Sequence, residues 1–172
     1  MSVIGFALFR YNARVPQLQI IYASTSGHTE YVVGVLREAL EKGSKGLQVA
    51  SCKAEEAKPE DLLKGDALLL ACGTWNTDGP EGQLNPHMKD LLVGRAKDID
   101  LKGKPVAIIA LGDDRYFYTC RAGEHMRRFV LDHGGKILGD VFLIVNEPYG
   151  QEERIQTWSE KLFSHIREIV RS

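Results

Sequence analysis

The chain has 172 residues, with 22 Lys plus Arg against 23 Asp plus Glu, and 44% of its residues are hydrophobic. That length suits one globular domain with a full core and leaves little room for a second, while the average composition excludes disordered, collagen-like and disulfide-scaffold classes. A formal net charge of -1 argues against a broad footprint for nucleic acid or anionic lipid, because neutralising phosphates takes clustered cations.

The first 17 residues read as an extension of unknown role. Within them the apolar stretch Val3 to Phe9 lacks a basic leader and a small-residue cleavage site, so an extension or mis-assigned start is favoured over an export or anchoring element. From Leu18 onward short apolar runs alternate with longer amphipathic stretches, the pattern of β-α-β units winding a parallel sheet within one domain, residues 18–172. The runs are Leu18 to Ala23, Leu47 to Cys52, Ala67 to Cys72, Val106 to Leu111 and Val141 to Val145. Several are apolar at consecutive positions, as strands covered on both faces require.

Helices fill the intervals. After Thr29 the residues Val32, Val33, Leu36, Ala39 and Leu40 recur at helical spacing and Gly43 closes the segment. Pro59 to Leu63 has room for a short helix, and Asn85 or Pro86 opens another with Met88, Leu91 and Leu92 apolar. A third holds Met126, Phe129 and Val130, ending at Gly134 and Gly135. The last runs from about Glu152 to Val170. Cys52, Cys72 and Cys120 follow no zinc or disulfide spacing, which favours free thiols in a reducing cytoplasm. Cys52 and Cys72, lying in apolar runs, read as small core residues.

In an open parallel sheet, ligands bind beyond the carboxyl ends of the strands, so the segments after Ala23, Cys72 and Leu111 are the places to look. Ser24-Thr25-Ser26-Gly27-His28-Thr29 sets four hydroxyls and one glycine where a helix begins, so that free N–H groups and the positive end of the helix dipole face the loop. A plain helix cap needs one such hydroxyl; four suit a terminal phosphate. Neither a Gly-Lys-Ser/Thr ending nor a GxGxxG run is present, so a monophosphate fits better than a triphosphate or dinucleotide. The second loop, Gly73 to Gly82, places Trp75 directly after a buried strand among turn formers. The third, Gly112 to Cys120, clusters Tyr116, Phe117 and Tyr118, which call for a planar partner or a core.

These three loops, each in order at the end of its strand, resemble the flavodoxins, and specifically the short-chain group, since no long insertion interrupts the fifth strand. Ser24 to Thr29 is similar to the family's phosphate signature S/T-x-T-G-x-T with Ser26 at the middle threonine. Thr74-Trp75 resembles its tryptophan loop, and Val106 to Tyr116 its fourth strand followed by G-D-x-x-Y. The resemblance spans Leu18 to about Val170. It implies a doubly wound five-stranded α/β fold with helices on both faces, and it is the resemblance that supplies the strand order 2-1-3-4-5 with FMN at the switch point.

By the same resemblance Ser24, Thr25, Ser26, Gly27, His28 and Thr29 would wrap the FMN phosphate, and Trp75 and Tyr116 would sandwich the ring. Gly73, Thr74 and Asn76 would approach the flavin and its ribityl chain. Asp113 and the backbone around Gly112, Tyr118 and Cys120 would meet the pyrimidine edge. The implied function is a low-potential one-electron carrier, a cytoplasmic monomer shuttling between a reductase and an acceptor enzyme and having no substrate of its own. An FMN enzyme on the same fold, such as a quinone reductase or a protoporphyrinogen-oxidase-like protein, is the alternative. A flavin-free receiver module would need an acidic pair after the first strand, where Ser24-Thr25 stands.

Three departures stand out. Asn76 occupies the position where many relatives have the glycine whose peptide turns toward the flavin, which predicts weaker stabilisation of the half-reduced state. His28 replaces the usual asparagine and either donates to the phosphate or faces solvent. The near-neutral charge is unusual for an acidic family, and Arg115 and Arg121 flank the flavin loop, where they would favour the anionic reduced ring or serve a different partner.

Overall fold

The computed structural model describes residues 14–44 and 46–172; the apolar stretch Val3 to Phe9 lies outside them. In chain order, β1 (Gln17–Ala23) leads into α1 (His28–Gly43), β2 (Gln48–Lys53), a 3-10 turn at Pro59–Leu63 and β3 (Ala67–Trp75). There follow β4 (Gln83–Leu84), α2 (Pro86–Lys89), β5 (Pro105–Gly112), α3 (Ala122–Asp132), β6 (Lys136–Ile137), β7 (Phe142–Val145) and α4 (Glu152–Arg171).

The sheet runs β2-β1-β3-β5-β6 with every one of these pairings parallel, and β7 also pairs with β5. β6 and β7 are two pieces of one fifth strand. Val106 pairs with Ile137 and Ile109 with Phe142, so residues 138–141 lie opposite only Ala107 and Ile108. Gly139, at φ 70°, takes a left-handed conformation inside this bulge. The order is 2-1-3-4-5, as the resemblance implied.

Side chains alternate between two layers, which is what a strand period of two does when both faces are covered. Ile21, Leu68, Leu70, Cys72, Val106 and Ile108 pack against Met88, Leu91, Leu92, Met126 and Val130 on one side. Leu18, Ile20, Leu69, Ala71 and Ile109 pack on the other against Val32, Leu36 and Leu40 of α1 and Ile155, Leu162 and Ile166 of α4. Leu68, Leu69 and Leu70 are all fully buried, so the consecutive apolar run of β3 feeds both layers at once.

Two local readings of the sequence are corrected and one short element is added. The second helix is only four residues of α-helix, after which the chain widens into a π-type turn at Asp90–Arg95, with Ala96 N–H donating to Leu91 C=O at 2.8 Å. Arg95 closes this turn: its guanidinium reaches across to donate to the carbonyls of Ala54 (2.6 Å) and Ala57, while its Nε donates to Asp90 Oδ2 at 2.7 Å. Cys52 is not a core residue, because β2 is an edge strand that leaves it half-buried; Cys72 is fully buried. The two-residue β4 pairs antiparallel with the end of β3 and was too short to leave a pattern.

Register decides where function can sit. Ala23 pairs with Cys72, Gly73 with Leu111 and Gly112 with Val145, so β1, β3, β5 and β7 end level with one another. The loops that follow them meet along one edge.

Candidate functional site

At the β1 end, Gly27 adopts φ 90°, a left-handed conformation that turns the chain into α1 with open space around the position of a side chain. Ser24 Oγ accepts from the Glu30 N–H at 3.1 Å, and Tyr31 N–H donates to the Gly27 carbonyl at 2.9 Å. Among the described residues, the N–H groups of Ser26, Gly27, His28 and Thr29 have no acceptor, so the positive end of α1 is left open to an anion. Asn85 steadies this loop from the far side of the cleft. It is 1% exposed, its Nδ2 donates to Thr25 Oγ1 at 2.9 Å, and its Oδ1 caps α2 by accepting from His87 N–H at 3.0 Å.

At the β3 and β5 ends the construction is different. Thr74 Oγ1 donates to the Leu111 carbonyl at 2.9 Å and accepts from Ala122 N–H at 3.1 Å, so this hydroxyl ties β3, β5 and α3 together. Trp75 stands 37% exposed, Tyr116 52% and Phe117 85%. Gly112 is required by crowding: a Cβ there would lie 2.3 Å from Cys120 N. Cys120 itself is buried, and burial pushes its thiol up to about 11 and that of Cys72 up to about 12, which keeps both protonated.

Both arginines at this end are engaged. Arg115 Nε donates to both carboxylate oxygens of Asp113 at 2.9 Å, and its terminal nitrogen closes on Oδ2. The guanidinium holds the Asp113 carboxyl down at about 2. Arg121 lies over the Tyr118 ring, 4.2 Å from its centre, and 3.9 Å from Glu124. Neither arginine is the free cation that its place in the sequence suggested. The turn after Trp75 also differs from expectation: Asn76 accepts from Gly79 N–H at 2.9 Å, and the positive φ angles fall at Asp78 (61°) and Gly79 (101°), not at Asn76.

Together the loops enclose a cleft of about 530 Å³ and an adjoining one of about 270 Å³ that share Thr74, Trp75 and Asp113. The larger is lined by Thr25, Ser26, His28, Thr29, Gly73, Thr74, Trp75, Gly112 and Asp113 among the expected residues, and the smaller adds Asn76, Tyr116 and Tyr118. Ser24, Gly27 and Cys120 do not line either; they shape the loops from behind. The sequence reading missed Asn85, Asn146 and Glu147, which also line the cleft. Asn146, at φ 65°, donates to Asp114 Oδ2 at 3.0 Å and accepts from Asp114 N–H at 3.1 Å. Glu147 places Oε2 3.2 Å from Nε2 of His28, which therefore faces a carboxylate.

The flavodoxin family model matches residues 20–158, most of the chain and all four loops. The chain belongs to the flavodoxin family. A flavodoxin of Maridesulfovibrio salexigens is 29% identical over 148 residues, covering 86% of this chain and 97% of its own. A probable flavodoxin 2 of Bacillus subtilis is 27% identical, covering 80% and 87%. Among solved structures, oxidised flavodoxin 1 of Bacillus cereus superposes with a TM-score of 0.76 at 19% identity, covering 87% of this chain and 98% of its own, which speaks for the fold. Flavodoxins bind FMN and carry electrons between redox partners, and with the fifth strand broken only by a short bulge this chain is of the short-chain group. The cleft fits that cofactor: unpaired N–H groups and hydroxyls for a phosphate at one end, exposed aromatic faces for a planar ring at the other, and a volume within the usual range for such ligands. Among the described residues no helix is long and apolar enough to cross a membrane.

Proposed function

We propose that this flavodoxin is a low-potential one-electron carrier, a monomer that takes electrons from a reductase and delivers them to an acceptor enzyme, with FMN lying along the cleft from Ser26 to Tyr116. The observation that carries the reading is the run of unpaired N–H groups from Ser26 to Thr29 at one end of a cleft whose other end exposes Trp75 and Tyr116. Bound FMN supplies the redox chemistry, accepting and giving up electrons singly.

The chain's residues do the rest. The N–H groups of Ser26 to Thr29, with the hydroxyls of Thr25, Ser26 and Thr29, bind the phosphate; Ser24 and Gly27 hold the loop in shape. Gly73 keeps the β3 end low, since a Cβ there would come 3.1 Å from Trp75 Nε1 and push the indole aside. Trp75 and Tyr116 flank the ring and exclude water from its faces. Gly112, Asp113 and the backbone through Cys120 form the wall at the pyrimidine edge, with Asn76 and Tyr118 closing the side toward Gly82. Because Arg115 neutralises Asp113, that wall carries less negative charge toward a ring gaining electrons than the carboxylate alone would.

Three free thiols, two of them buried, support a reducing cytoplasm. The flavodoxin relatives do not favour the alternative of a substrate-converting FMN enzyme. The deciding experiment supplies the FMN-loaded protein with NAD(P)H and quinones, with and without a separate reductase. Reduction only through the reductase supports the carrier. Direct turnover of NAD(P)H with a quinone would overturn it.

A further inference from the structure

The phosphate end of the cleft contains an electrostatic conflict. A phosphate monoester carries roughly -1.5 to -2 charges at pH 7, yet the charged side chains lining the cleft are Asp113, Asp114 and Glu147 against Arg115 and His28. Arg115 is closed onto Asp113 and Asp114 is held by Asn146. Glu147 is left beside the phosphate loop, and among the described residues its one ion-pair partner is His28, at 3.2 Å.

Glu147 is kept there by its segment. Asn146 N–H donates to the Gly112 carbonyl at 2.8 Å, and Gln151 Nε2 donates to the carbonyls of Val145 (3.0 Å) and Glu147 (2.7 Å). Tyr149 meets the His28 ring edge-on at 5.8 Å between centres and packs on Tyr31 at 4.7 Å. The Tyr31 hydroxyl donates to Glu152, whose Oε1 also accepts from Gly150 N–H at 3.0 Å. The backbone that carries Glu147 is thus held beside the first turn of α1, while its carboxylate, 67% exposed, meets His28.

Building on the FMN reading above, we propose that His28 is the residue that makes this site select a phosphate monoester, by taking up a proton as the phosphate enters. A neutral imidazole that donates from Nε2 to Glu147 leaves Nδ1 as a bare lone pair, and Nδ1 has no partner among the described residues. A proton taken from solvent onto Nδ1 converts it into a second donor available to a phosphate oxygen in the cleft that His28 lines, while Nε2 keeps Glu147. No bond other than N–H is made, and one proton leaves the buffer.

The other groups facing this corner do not compete for that proton near neutrality. The Tyr31 hydroxyl holds the Glu152 carboxyl below its usual range and is itself raised by it. Glu30, two positions further along α1, is engaged by Lys53 at 3.2 Å and by the Tyr22 hydroxyl at 3.3 Å. Histidine is the side chain whose charge ordinarily changes between about pH 5 and 8.

The sign follows from linkage. If the bound state holds the proton more tightly than the free state, FMN affinity falls as pH rises above about 7, by less than about tenfold per pH unit for one proton. Riboflavin, which lacks the phosphate, has no such dependence. The test is calorimetric titration of flavin-stripped protein at about pH 7.8, in two buffers of different ionisation enthalpy, with FMN and with riboflavin. At that pH the FMN phosphate is already ionised and takes no part in the count.

The wild type is expected to take up a measurable fraction of a proton with FMN and none with riboflavin, and His28→Asn none with FMN. Equal uptake with both flavins, or in wild type and His28→Asn alike, overturns the proposal. If His28→Asn fails to fold, His28→Gln decides by the same calorimetric readout: no proton uptake with FMN supports the proposal, and uptake equal to wild type overturns it. Binding of neither flavin by the wild type would instead overturn the FMN reading itself.

Discussion

The two ends of the cleft are built on opposite principles. At the proposed phosphate end the unpaired groups include backbone N–H groups aligned by α1, and the side chains of Ser24 and Asn85 hold that backbone in place. At the ring end the surface is made of side chains, exposed aromatics and a closed ion pair, standing on a backbone that Gly112 and Thr74 lock together. Fixed dipoles bind an anion whose charge does not change during electron transfer. Replaceable side chains are suited to the end where charge does change, because they set how much each added electron costs. Affinity should therefore respond mainly to substitutions at the first end, and potential to substitutions at the second.

The most severe way to break this division is Gly112→Ala. With a Cβ 2.3 Å from Cys120 N, the β5 loop must move, and we expect a loss of about 3 kcal/mol in urea unfolding and no measurable FMN binding. Gly27→Ala attacks the other end more gently. The new methyl meets nothing within 4 Å, so the cost is the left-handed backbone alone, about 1–2 kcal/mol, seen as a roughly tenfold weaker FMN affinity with potentials unchanged. Asn85→Ala removes both the α2 cap and the tie to Thr25; a loss of about 1 kcal/mol in stability and a several-fold weaker FMN affinity are expected, again without a shift in potential.

The smaller expected effects sharpen the comparison most. Arg115→Gln leaves Asp113 as an unpaired carboxylate at the ring and should lower the potential of the second electron by about 20–40 mV while FMN affinity changes little. Arg121→Gln, which loses its packing on Tyr118, should shift it less. Since Arg115 depresses the Asp113 carboxyl to about 2, the stabilisation from this pair is present above the ordinary aspartate range and is lost only as pH falls through about 2. The Arg115→Gln shift should accordingly be the same at pH 6 and pH 8, which potentiometry at the two pH values checks.

Much of this was legible in the sequence because the signals were periodic or local. Consecutive apolar residues such as Leu68 to Leu70 announce a strand covered on both faces, and a hydroxyl-rich loop around Gly27 announces an open helix end. Twelve of the fifteen expected cleft residues line the cleft, the exceptions being Ser24, Gly27 and Cys120. What stayed hidden depends on where side chains point. Asn85 reads as an ordinary helix cap, and nothing local shows that its second polar atom crosses to Thr25. Asn146 and Glu147 follow the fifth strand, whose ending level with β5 is a matter of register. Asp113 and Arg115 are two positions apart in a loop, where spacing fixes no common face, so the pair that cancels the apparent surplus of positive charge came only from the structure. The net charge of -1 remains, but of the two arginines by the flavin loop Arg115 is closed onto Asp113 and Arg121 lies on Tyr118 near Glu124.

The central claim, that this cleft holds FMN as a one-electron carrier, is tested most directly by anaerobic spectroelectrochemistry on the purified protein. The account predicts one FMN per chain and two separate one-electron steps, the second at low potential. A flavin-free protein, or a single two-electron step, would contradict it.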